Sequence, residues 1–234
     1  MENQMNSPVS LGGSVSATET NRVLRNTFLL LALSMIPTVA GAWLGVALKL
    51  PIPGGFIGFA IFFAGVMGFQ FAIHRFRDSS IGVVILLVFT FFMGLMLSRM
   101  LGSVMNFKNG SSLIMMAFGG TAAILTGMAM TGMMIKSSLT GMGKFLYIGM
   151  WSAVVLGVIA LVFQIPMLQI PMLMIAITGL VLVIFSLYIM YDVNQIVTGG
   201  ETNYIIAATQ LYIDVFSVFQ SLLALLGIFG GEKD

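Results

Sequence analysis

The run YIIAATQLYIDVFSVFQSLLALLGIFGG, residues 204–231, decides how the rest of the chain is read. It is long and apolar enough to cross a bilayer, since roughly 20 such residues span a hydrocarbon core of about 30 Å. Yet one carboxylate, Asp214, sits in its interior. An ionisable group at membrane depth is costly and faces a bundle interior or water rather than lipid. The run therefore predicts a membrane helix with one side turned towards other helices.

The composition agrees. Hydrophobic residues make up 59% of the 234 and charged residues 8%, with mean hydropathy +1.06; a soluble domain carries about a quarter charged residues. So few charges cannot cover a water-exposed surface, and the lipid bilayer is the expected environment. A formal net charge of +2 gives no reason to expect nucleic acid. The absence of cysteine excludes disulfides, thiolate nucleophiles and Cys-based metal sites. Twenty methionines are read as filling between apolar helices.

Outward from the last run, further apolar stretches lie near 24–48, 55–73, 81–102, 112–135, 145–165 and 170–194. With 204–229 they predict seven transmembrane helices in a single domain, 22–234. Residues 1–21, polar and rich in Ser, Gly, Asn and Thr, are expected to form a disordered cytoplasmic tail. The first apolar run is too long, and too far behind this tail, to read as a cleaved signal peptide. With the N-terminus inside, the inner flanks carry Arg22, Arg25, Arg75, Arg77, Lys136 and Lys144, and the outer ones Lys49, Arg99, Lys108 and Lys233. The bias favours a cytoplasmic N-terminus.

Small residues recur four apart in Thr90-Gly94-Ser98, Gly119-Ala123-Gly127-Thr131 and Gly149-Ala153-Gly157. They are read as seams along which neighbouring helices approach closely. Pro37 is expected to kink the first span, and Pro166 and Pro171 to bracket the turn between the fifth and sixth.

From Phe145 to Tyr191 the chain carries no charge; then come Asp192 and, in the last span, Asp214. The turn Gly199-Gly200-Glu201-Thr202-Asn203 lies between them. At 1.5 Å per residue the two acids stand roughly 11 and 16 Å from that turn, within about a helical turn of one depth. Gln210, Asp214, Ser217 and Ser221 form one polar stripe, and Tyr188, Asp192 and Gln195 another. Two carboxylates in a poorly solvated space cannot both ionise cheaply, so the pair is expected to share a proton or recruit a cation. Calcium, which prefers oxygen ligands, fits that description. Asp192 and Asp214 are thus a candidate pH sensor and latch and a candidate Ca²⁺ site, with Tyr188, Gln195, Gln210 and Ser217 as candidate neighbours.

Enzyme chemistry has little to stand on. The one histidine, His74, sits beside Arg75 at a helix end, and no GxSxG, HExxH or P-loop motif occurs. A retinal protein would need a lysine in the last span, and residues 204–231 hold none. No cofactor is implied.

The segments RVLRNTFLLLALSM and SLYIMYDVNQIVTGGETNYIIAATQLYIDVFSVFQSLLALLGIFG resemble the Bax inhibitor (transmembrane Bax inhibitor motif) family. The VLRNT start and the GGETNYI turn are similar to its bacterial YccA-like branch. The most specific parts are YD-x-N-x-I at 191–196 and LY-x-D-x-x-x-x-F at 211–219. The resemblance implies an all-α membrane fold of six helices around a central seventh. It implies a pH-sensitive calcium leak gated by the paired aspartates, whose positions here are Asp192 and Asp214. It also implies an arginine tether from the second helix, for which Arg75 or Arg77 is the candidate. For the bacterial branch it implies, as an alternative role, modulating a membrane-bound ATP-dependent protease, or serving as its decoy substrate, in the inner (plasma) membrane.

Overall fold

The computed structural model describes residues 17–162 and 171–231. Among them are seven helices and no strand: α1 Ala17–Ala47, α2 Gly55–Arg75, α3 Ser80–Met105, α4 Gly110–Met134, α5 Thr140–Val162, α6 Pro171–Val197 and α7 Tyr204–Gly230. Six of them, all but α5, are apolar enough over their described residues to span a membrane. The 23 residues of α5 rise about 34 Å, which is also enough. The chain is an all-α, multi-pass membrane protein.

α1 begins earlier than its apolar run. Residues 17–21, expected in the polar tail, are helical, with Glu19 in the first turn, where a negative charge meets the positive end of the helix dipole. Pro37 lies inside α1. Pro171 opens α6, a position where its missing N–H costs nothing; Pro166 falls outside the described residues.

Local chemistry sets the ends of the last hairpin. α6 closes with Gly199 at φ 78°, its N–H donating to the Ile196 carbonyl at 3.2 Å and that of Gly200 to Gln195 at 2.7 Å. This is a Schellman close, in which a left-handed glycine turns the last amides back onto the helix. Four residues on, Asn203 caps α7, its Oδ1 accepting from the N–H groups of Ile205 at 3.0 Å and Ile206 at 3.2 Å.

α7 is the most buried span and the centre of the bundle. α1, α2, α3, α4 and α6 pack against it, and α5 completes the surround by resting on α6 and α2. The core is built on its Ile205, Ala208, Leu211, Tyr212, Val218 and Leu223, with Phe89 and Leu86 of α3 and Ile189 and Val193 of α6.

α1 and α3 make the closest pair. A methyl group at Gly94 would overlap the Thr38 carbonyl of α1, and one at Gly41 the Phe91 carbonyl of α3. The seam Thr90-Gly94-Ser98 is buried as expected. The α4 seam is not. Gly119 and Gly127 face open space, and Ala123 and Thr131 are exposed. α4 instead turns Leu113, Ala117, Thr121, Ala129 and Gly132 inward. The spacing alone could not separate the two faces, because both carry small residues four apart. In the third seam, Gly149 touches Ile184 of α6.

Candidate functional site

The site is set by the α6–α7 hairpin. Asp192 lies in the last two turns of α6 and Asp214 in the interior of α7, 7% and 4% exposed. Their carboxyl groups are close enough to interact with each other. The Oδ2 of Asp214 is buried with no protein partner among the described residues. A carboxylate only accepts, so two carboxyls can hydrogen-bond only if one of them carries a proton to donate.

Around it, the sequence candidates divide. The Tyr188 ring lies near both acids and stacks edge-on to Tyr191 at 6.4 Å between centroids. Gln195 is at the hairpin end, its carbonyl accepting from Gly200 and from Glu201, the latter at 3.1 Å, and its buried Nε2 has no partner among the described residues. Ser217, half-buried, donates to its own helix at Ile213, 2.7 Å away. Gln210 is exposed. The stripe thus leaves the interior one turn before Asp214, and Gln210 is not buried with the pair.

Neither candidate tether stands beside the aspartates. Arg77 is exposed and pairs with its neighbour Asp78 at 3.5 Å, and Arg75 lies 6.0 Å from the Phe76 ring centre. The α2–α3 connection reaches the hairpin by another route. Asn203 Nδ2 donates to the Arg77 carbonyl at 3.0 Å and to Asp78 Oδ1 at 2.9 Å.

Two polar residues matter more than their sequence context announces. Asn194 is wholly buried. Its Oδ1 accepts from the Leu139 N–H at 3.1 Å, and its Nδ2 donates to the carbonyls of Ile135 at 2.8 Å and Ser137 at 3.2 Å. It thus holds the α4–α5 connection against α6, satisfying peptide groups just past the end of α4. Tyr212, also wholly buried, meets Thr38 Oγ1 at 2.9 Å and lies 3.4 Å from the Thr90 carbonyl. The sequence marked both only as fixed letters of the family motifs, Asn194 in YD-x-N-x-I and Tyr212 in LY-x-D-x-x-x-x-F, without saying what either holds.

No group of three or more His, Cys, Asp or Glu occurs among the described residues. Calcium takes roughly 6–8 oxygens, so two carboxylates would need backbone carbonyls or water to complete its shell.

A family model described as "Inhibitor of apoptosis-promoting Bax1" matches residues 20–231. The chain belongs to the Bax inhibitor family. The Escherichia coli K12 protein named "Modulator of FtsH protease YccA" is 32% identical over 91% of this chain and 92% of its own length. An uncharacterized protein of Pseudomonas aeruginosa is 32% identical over 98% and 97% of the two chains. One from Neisseria meningitidis serogroup A is 34% identical over 91% and 93%. A second E. coli relative is named "Inner membrane protein YccA".

Proposed function

We propose that this protein modulates a membrane-bound ATP-dependent protease in a bacterial inner membrane, with its N-terminus in the cytoplasm. The supporting observation is full-length similarity to a modulator of the FtsH protease. This reverses the order of the two sequence expectations, in which the cation leak came first. The residues ahead of α1 are the handle in this reading, and the bundle is the anchor. The test is degradation of a membrane substrate by the reconstituted protease, with the full chain and with residues 2–16 deleted. The full chain changes the degradation rate and the deletion restores it; no change with the full chain would sink the proposal.

The buried Asp192/Asp214 pair favours a second reading, a pH-sensitive cation leak with Ca²⁺ as cargo. The pair holds α6 to α7 while it shares a proton; losing that proton sets two buried charges against each other and loosens the hairpin. Ca²⁺ flux into proteoliposomes then depends on pH in the wild type and not in Asp192→Asn or Asp214→Asn. Flux no greater than in empty liposomes, from folded protein at any pH, would remove this reading.

A further inference from the structure

At the membrane face that carries the α1–α2 connection, a cleft of about 270 Å³ opens between the start of α2, α3 and α7. Its walls include Pro53, Phe59, Phe62 and Met96, and two side chains give it polarity, Arg99 and Gln220. Arg99 is the only charge on α3, six residues before the helix ends, or roughly 9 Å below that end. Its guanidinium lies against the backbone of Gly54, where any added methyl group would collide with it. Among the described residues no carboxylate pairs with it. Gln220 enters from the central helix six residues beyond Asp214, on the side of the bundle away from the α6–α7 turn.

Arg99 is exposed, and an arginine near a helix end snorkels to the interface, where lipid phosphates lie. Its planar fork of donors matches the oxygens of a phosphate better than a lysine would. The apolar walls are suited to glycerol and the first methylenes of an acyl chain, and an amide at the base adds a hydrogen-bond donor. We propose that this cleft is a phosphate-binding site, with Arg99 and Gln220 as donors and a phospholipid headgroup of the adjacent leaflet as occupant.

The test is native mass spectrometry of the full chain released from detergent, with three probes: phosphatidylglycerol, diacylglycerol of the same chains, and inorganic phosphate. Phosphatidylglycerol should be retained at least tenfold better than diacylglycerol, the scale of one hydrogen bond to a charged group. Arg99→Gln should erase that preference, and Gln220→Leu, on a different helix, should reduce it. Displacement of the lipid by inorganic phosphate would assign the site to a free anion, and resistance to displacement would assign it to the headgroup. Equal retention of diacylglycerol, or an unchanged preference in both variants, would overturn the proposal.

Discussion

Tyr212 and Thr38 meet hydroxyl to hydroxyl at 2.9 Å, joining the central helix to α1 in the interior of the bundle. Thr38 donates its one proton to its own helix at Ser34, 2.8 Å away, so in this pair it accepts and the tyrosine donates. The Thr90 carbonyl of α3 lies 3.4 Å from the same tyrosine oxygen. Three helices are tied through one side chain.

Tyr212→Phe keeps the ring, with its edge-on contact to Phe89 at 5.9 Å, and removes only the hydroxyl. The cost is about 1 kcal/mol, the net worth of a buried hydrogen bond. Tyr212→Ala also empties a core position, at about 3–5 kcal/mol. Unfolding titrations in detergent check both. An equal loss in the two variants would mean the hydroxyl, not the ring, holds the junction.

Asn194→Ala strands the Leu139 N–H and two carbonyls that now have a donor. The expected loss is roughly 2–3 kcal/mol, from buried peptide groups left unpaired. Asn194→Asp should be worse, since it turns acceptor oxygens towards the Ile135 and Ser137 carbonyls. Amide hydrogen exchange at residues 135–139 reads the effect locally. Unaltered exchange there would show that the connection holds itself.

The glycines give a paired prediction. Gly94→Ala forces α1 and α3 apart where a methyl would overlap the Thr38 carbonyl and costs about 1–3 kcal/mol, as overpacking does. Gly119→Ala on α4 meets open space and is neutral or slightly stabilising, because alanine is the better helix former. Thermal unfolding of the two variants side by side checks it. A large loss at Gly119 would place a contact on the α4 face that this fold does not provide.

Asn203→Ala removes the cap of α7 and both bonds to the α2–α3 connection. Loss of the cap costs about 1 kcal/mol. Faster proteolysis at residues 76–79 is the added sign that this connection has come free. A loss confined to the start of α7 would mean the two connections are held together by something else.

Helix positions were legible because a bilayer imposes one length on every apolar run; α2, α3, α4 and α7 keep their expected runs within about three residues. α5 starts five residues early, and residues 163–165 and 170 of the expected runs lie outside the described residues. The start of α1 was not, because Glu19 and its polar neighbours read as a tail by composition while the helix continues through them. The Asp192/Asp214 encounter followed from two distances to one turn. Which side of a helix faces inward was harder. Gln210 shares a stripe with Asp214 in projection but is exposed, because burial changes along the helix while periodicity does not. The α4 seam failed for the same reason. The role of Asn194 depends on carbonyls more than fifty residues away, which no local pattern encodes.

Our central proposal for the buried site is that Asp192 and Asp214 share a proton. Infrared spectroscopy of the carboxylic-acid C=O stretch, absent from a carboxylate, reads that proton directly across a pH titration. The account predicts a buried carboxylic-acid band in the wild type that changes in frequency and titration midpoint in both Asp192→Asn and Asp214→Asn, since the remaining buried acid has lost the partner that shared its proton. A wild-type spectrum without such a band at any pH where the bundle stays folded, or a band untouched by both substitutions, would contradict it.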